Sequence, residues 1–245
     1  MFEAAAERPG EFVPGVRPGE VRHCTVLNQS INQSDLTYRS EEPIPRTIHY
    51  AWFGPKRMPD ICLRCMDSWQ EMAPGYRLKK WSEENFPFDE YPYAKDAMEK
   101  GCWAFVSDVA RLHALYTEGG IYVDTDVRLI KPLDPLLDIG CFACFEADSQ
   151  ISFGTFGAKR YHPYVKLLLD WYRVIYLRKV YRRVANVRFI SKLTRMFCGI
   201  ELHGKELSFD DVKIFPREYF LPSRGPDGWQ TTPDTYANHL YTGLW

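Results

Sequence analysis

Two carboxylates stand two positions apart in IYVDTDV, at Asp124 and Asp126, directly after an apolar run. In an extended chain such residues have Cα atoms about 6.5 Å apart and side chains on one side of the strand. Both can then approach one hard divalent cation, which takes oxygen ligands. A cation held at the carboxyl end of a strand, with coordination sites left open, can grip a diphosphate and neutralise the charge that builds as it leaves. Mn²⁺ or Mg²⁺ suits such a site. Alone the pair is a weak signal, because Asp-Thr-Asp is also a common turn or helix cap. Two acids after an apolar strand also repel each other, and something must compensate that repulsion.

The surrounding window AFVSDVARLHALYTEGGIYVDTDV, residues 104–127, is what lifts the signal. Asp108, Arg111, Leu112 and Leu115 fall at i, i+3, i+4 and i+7 and share one helix face. The leucines need a core, so Asp108 and Arg111 are carried to its edge. Without that setting, an Asp–Arg pair at this spacing is a surface ion pair worth about 0.2–0.5 kcal/mol. On the strand, Tyr122 and Asp124 point the same way, and Asp126 continues the alternation just beyond.

The elements that must position these groups are legible from period and punctuation. TIHYAWFG reads as a buried strand closed by Gly54-Pro55, and a helix is expected over 59–72, stopped by Pro74-Gly75. YRLKKWS is a second strand, 93–100 a short helix, and 103–118 a helix ended by Gly119-Gly120. IYVD, CFACFEA and ISFGTFGA add three strands. This alternation is the α/β class, which binds ligands where strand ends open into loops. Residues 1–42, with Pro9-Gly10, Pro14-Gly15 and Pro18-Gly19, read as a flexible N-terminal extension, and 43–245 as the folded domain.

Bulk properties exclude more than they identify. A net charge of −1 gives no whole-chain field for nucleic acid. No apolar run reaches the roughly 18–20 residues of a spanning helix, and MFEAAAERPGEFVPG lacks the pattern of a secretory signal. A cytoplasmic chain is expected. Seven cysteines fit a reduced compartment, and the pairs Cys62/Cys65 and Cys141/Cys144 read as buried thiols, because a helix and a strand do not present them as zinc ligands. Residues 171–200 carry eight Lys and Arg and no acid, with apolar residues at nearly helical spacing. That pattern suggests a basic amphipathic helix on an anionic membrane surface, peripheral at its inner face; a solvated helix paired with acids elsewhere is the competing reading.

IPRTIHYAWFGPKRMPD, the 104–127 window and the ending YANHLYTGLW together resemble the DXD-containing sugar transferases of glycosyltransferase family 32. The resemblance runs from about Ile44 to about Leu169 and returns at the C-terminus. It implies a GT-A fold, a Rossmann-like mixed sheet flanked by helices. It further implies a UDP- or GDP-sugar donor, Mn²⁺ or Mg²⁺, a glycan or lipid-linked acceptor, and retention of anomeric configuration. By motif position Trp52 would stack on the base. Asp108 and Arg111 would bind sugar hydroxyls and the diphosphate, with Ser107 and Tyr122 lining the pocket. Asp124 would contact ribose and sugar, or the metal through water, and Asp126 would ligate the metal directly. His239 and Trp245 would close over the metal-diphosphate, His239 as a further ligand.

The chain departs from the family pattern at Leu244, where a serine is usual before the final Trp, and at Ser152, where Asn is common. Asp124 and Asp126 are expected to be engaged by metal and donor, so no nucleophile is evident and same-face attack is the expected route. Glu146 and Asp148 are candidates for the acceptor side. Two rivals remain: an inactive sugar-nucleotide-binding homologue, and a phosphatase using IYVDTDV as its aspartyl strand with Asp210-Asp211 as its later acidic pair.

Overall fold

The structure is a computed structural model that describes residues 38–39, 41–177, 186–226 and 228–243, with the backbone alone for 174–177. Most of the extension expected over 1–42 therefore lies outside the described residues, as do Leu244, Trp245 and residues 178–185 of the basic stretch. One described residue of that stretch makes contacts with the folded domain. Tyr38 donates to Asp211 and meets the ring of His162 edge-on at 5.0 Å.

Chain order runs β1 (Thr47–Ala51), α1 (Asp60–Met72), β2 (Arg77–Trp81), α2 (Pro92–Glu99), α3 (Trp103–Glu118), β3 (Gly120–Val123) and β4 (Val127–Leu129). A hairpin of β5 (Cys141–Ala147) and β6 (Gln150–Ala158) follows, then α4 (Pro163–Leu177) and α5 (Asn186–Cys198). The remaining strands are β7 (Leu207–Phe209), β8 (Val212–Phe215), β9 (Arg224–Gly225), β10 (Gly228–Trp229) and β11 (Ala237–His239). Seven strands form one mixed sheet in the order β2-β1-β3-β6-β5-β8-β7, with β2, β1 and β3 parallel and β6 antiparallel to β3. This is the GT-A type of sheet. A small pair, β4 with β11, stands apart from it.

The period-two pattern of β3 divides the core. Ile121 and Val123 join one apolar cluster with Trp69 of α1 and the β4 side chains, whereas Tyr122 joins the other with α2, α3 and α4. Asp124 thus emerges from the strand on the α3 face. The same alternation in β5 sends Cys141 to one cluster and Cys144 to the other, so that pair cannot chelate a common metal. All the cysteines described are free, and burial pushes the Cys65 thiol up to about 11.

Two glycines let α3 run into β3 without a loop. Gly119 and Gly120 both take positive φ, and a Cβ on Gly120 would meet the Thr47 carbonyl oxygen at 2.7 Å. His49 of β1 pins this junction: Nε2–H donates to the Gly119 carbonyl (2.8 Å), while Nδ1 accepts from the Trp81 indole (3.1 Å). Burial keeps it neutral, its pKa lowered to about 4.

The basic stretch is not one helix. Its first part belongs to α4, which begins at Pro163, and its last part to α5. Ile190 and Leu193 of α5 are buried among the protein's own core residues, so that part of the apolar stripe is already used. No helix among the described residues is long and apolar enough to cross a membrane.

Candidate active site

The two aspartates do not sit on a continuing strand. β3 ends at Val123, and a turn follows in which Val127 N–H donates to the Asp124 carbonyl at 2.9 Å. Asp124 N–H donates to the Gly154 carbonyl of β6 at 2.7 Å, and Trp69 of α1 donates its indole N–H to the Val127 carbonyl at 2.8 Å. Strand alternation therefore does not place Asp126, as the sequence suggested. The turn and β4 do, and β11 completes the arrangement by setting His239 opposite Val127.

These elements enclose a cleft of about 280 Å³ lined by Ser107, Asp108 and Arg111 of α3, Asp124 and Asp126 of the turn, and His239 and Tyr241. Its size is near the lower end, about 300 Å³, of small-molecule sites. Arg111 is the hub. Its guanidinium lies 3.2 Å from Asp108 and 3.4 Å from Asp124, donates to the Phe153 carbonyl at 2.8 Å, and stacks over Tyr122 with 4.8 Å to the ring centre. Burial works against its charge, but Asp124, Tyr122 and Asp108 more than offset that and raise its pKa.

Around this cation the acids titrate differently. Burial pushes Asp108 up to about 6, against the pull of Arg111 and of a 2.7 Å hydrogen bond from Asn186 Nδ2. Burial also raises Asp124, opposed by Arg111 and His239. Asp126 behaves oppositely. Burial acts to raise it, but hydrogen bonds from His239 and Thr242 prevail and hold it at about 2. Its Oδ1 lies 3.1 Å from His239 Nε2, and its Oδ2 accepts from Thr242 N (2.9 Å) and Oγ1 (2.8 Å). Burial lowers the His239 pKa, yet Asp126, Asp124 and Glu146 outweigh it and raise it overall.

A testable pH dependence follows. The folded pKa of Asp108 lies above the ordinary carboxyl value, so the folded chain binds a proton between about pH 4 and 6 that the unfolded chain releases. The cost of burying the charge is absent below this window and complete above it. Relative to Asp108→Asn, the wild type should lose on the order of 3 kcal/mol as pH rises from about 4 to 7. Denaturant midpoints of both proteins at each end of the window measure this; parallel profiles would contradict it.

Ser107, Asp108, Arg111, Asp124, Asp126 and His239 are thus brought together. Tyr122 lies fully buried beneath Arg111 instead of lining the cleft. Trp52 is buried just past β1, its indole donating to the Lys56 carbonyl at 2.7 Å, and is not among the lining residues. Glu146, inside β5, is raised by burial and feels His239, Arg217 and Asp124. Asp148 is exposed in the β5–β6 turn. Ser152 is buried on β6, its Oγ 3.4 Å from Gly154 N. Asp211 precedes β8, beside the first residue of β5, and bonds to His162 at 2.7 Å. It occupies the opposite end of the sheet from Asp124, so the acid set of a phosphatase is not assembled.

Sequence reasoning missed Asn186, Thr242 and Gly154. A Cβ on Gly154 would lie 2.9 Å from His239 Nδ1 and 3.1 Å from Asp124 Oδ2, so these two groups flank a space that only glycine leaves open. His239 Nδ1 is buried there without a hydrogen-bond partner. Among the described residues no group of three acidic, His or Cys side chains is drawn close enough to cage a metal. Asp124 beside this space and Asp126 in the same cleft fit a hard cation that takes part of its shell from a bound phosphate instead of an all-protein cage.

Residues 59–143 match the glycosyltransferase sugar-binding region containing the DXD motif. Inositol phosphoceramide mannosyltransferase 3 of Schizosaccharomyces pombe is 29% identical over 135 residues, covering 50% of this chain and 35% of that protein. Human alpha-1,4-N-acetylglucosaminyltransferase is 25% identical over 178 residues, covering 68% and 51%. This chain therefore spans about half the length, or less, of these relatives. The solved PaToxG Glycosyltransferase superposes with a TM-score of 0.51 at 16% identity, over 63% of this chain and 70% of that one, which shows a shared fold.

Proposed function

We propose that this DXD-motif glycosyltransferase is a metal-dependent, retaining enzyme that moves a sugar from a UDP- or GDP-sugar to a glycan or lipid-linked acceptor. The observation that carries the reading is the open space at Gly154 between Asp124 and His239, with Asp126 alongside and Arg111 behind. Asp126, Asp124 and His239 would hold Mn²⁺ or Mg²⁺ together with the donor diphosphate. The bound cation supplies a Lewis acid that takes up the negative charge of the departing diphosphate.

The chain's own residues do the positioning. Arg111, buried and permanently charged, adds a fixed cation near the phosphates and costs no reorganisation when charge develops. Asp108 and Ser107 face the same cleft and bind sugar hydroxyls. Asp124 is shared between Arg111 and the sugar or metal, and Trp52 and Trp245 serve the nucleotide. With Asp124 and Asp126 both engaged, attack on the donor's own leaving face is the favoured route to retention, the leaving diphosphate accepting the acceptor's proton. Glu146 is the acid best placed to touch the acceptor.

A screen of nucleotide-sugars for hydrolysis with and without Mn²⁺ tests the proposal. At least one donor should turn over only with the metal; phosphatase activity indifferent to saturating nucleotide-sugar would overturn it. Gly154→Ala is a sharper probe. Its φ is not in the left-handed region, so the added methyl obstructs the space without straining the strand. Donor hydrolysis should fall at least tenfold while the thermal midpoint stays within a few degrees, as checked by parallel kinetics and calorimetry.

A further inference from the structure

We infer that the outer face of α5 docks on an anionic lipid surface and holds the cleft beside it. One side of this 13-residue helix is committed: Ile190, Ser191, Leu193 and Thr194 are buried against the body of the protein. Arg188, Lys192, Arg195 and Met196 fall at i, i+4, i+7 and i+8 and form a single stripe on the opposite side. None of the three cations forms an ion pair with a described residue, unlike Arg111, Lys166 and Arg173, which all do. No acid occurs anywhere in 171–200, although the whole chain is nearly neutral.

An apolar side chain on the same stripe points to a bilayer in particular. Met196 is 52% and Phe197 45% exposed, two of the four large apolar residues left most exposed among the described residues. Phe197, at i+7 from Ile190, lies on the committed side and packs against the Trp171 ring of α4 at 5.4 Å, whereas Met196 belongs to the outer stripe. Three cations beside an exposed Met196 match an interface of anionic headgroups over acyl chains. A purely anionic partner would satisfy the cations and leave Met196 in water.

The helix also links the patch to the cleft. Its first residue, Asn186, donates to Asp108 at 2.7 Å, and its length is about 20 Å. A surface bound along α5 therefore lies within about that distance of Asp108. That the docked face presents a lipid-borne acceptor rests on the function proposed above; docking itself does not.

The test is flotation of the full chain with vesicles of phosphatidylcholine containing about one-third phosphatidylglycerol, at low salt and without donor. Wild type should float with these vesicles and not with pure phosphatidylcholine. Each cation contributes about fivefold, so the triple variant Arg188→Glu/Lys192→Glu/Arg195→Glu should bind at least a hundredfold more weakly. Met196→Gln, which alters no charge, should weaken binding several-fold. Both variants should keep the wild-type circular dichroism spectrum and donor hydrolysis, since none of these residues lines the cleft. Wild type that fails to float, or a triple variant that floats as well as wild type, would overturn the docking. Failure to hydrolyse any donor would instead overturn the proposed activity, because the vesicle assay contains none.

Discussion

Arg111→Ala should cost the fold about 3–5 kcal/mol, a large share of its total stability. Arg111 lies between two buried carboxylates, Asp108 and Asp124, and caps the Phe153 carbonyl. Removing one partner from a buried charge set typically costs about 3–5 kcal/mol, because the charges left behind are uncompensated. A domain holds only about 5–15 kcal/mol in total. Urea unfolding should show the loss, and adding Asp124→Asn to Arg111→Met should recover part of it, since one uncompensated charge is then gone. A loss under about 1 kcal/mol would mean that solvent, and not Arg111, satisfies these carboxylates.

Asp126→Ala should abolish turnover while sparing most of the fold. The carboxylate lines the cleft and is held ionised, near a pKa of 2, by His239 and Thr242. If it ligates a cation that stabilises the leaving diphosphate by several kcal/mol, its loss slows hydrolysis about a thousandfold or more. Stability should fall by only about 1–3 kcal/mol, the cost of leaving the His239 and Thr242 donors unpaired. Asp126→Asn separates the two effects: its amide oxygen can still accept from Thr242, yet it offers the metal no charge. The asparagine variant should therefore be more stable than the alanine variant and equally slow, as single-turnover hydrolysis with Mn²⁺ would show.

The part of this site that was legible in the sequence is local. Gly119-Gly120 after a leucine-bearing helix, followed by IYVD, fixed α3 and β3 and hence which side chains of each could meet. The turn at Asp124–Asp126 defeated strand alternation because Gly154 and Trp69, distant in sequence, determine where β3 stops. Asn186 and Thr242 were invisible for the same reason: they reach Asp108 and Asp126 across 78 and 116 residues. Thr242 also places a hydroxyl on Asp126, so Leu244 does not leave that carboxylate without one.

The basic stretch was misread as one helix because period alone cannot tell a stripe that meets the core from one that meets lipid. In α5 both occur, with Ile190 and Leu193 turned inward and Met196 outward. Trp52 is a different case. Its motif was recognisable, whereas the hydrogen bond of its indole to the Lys56 carbonyl, outside the cleft lining, was not.

The most direct test of the central claim is calorimetric titration of UDP and of GDP into wild type and Asp126→Ala, each with Mn²⁺ and with chelator. One of the two diphosphates should bind wild type tightly only when Mn²⁺ is present, and Asp126→Ala should lose at least tenfold of that affinity. Equal binding in chelator and in Mn²⁺, or an Asp126→Ala isotherm that overlays the wild type, would contradict the assignment of Asp124, Asp126 and His239 as a metal-diphosphate site.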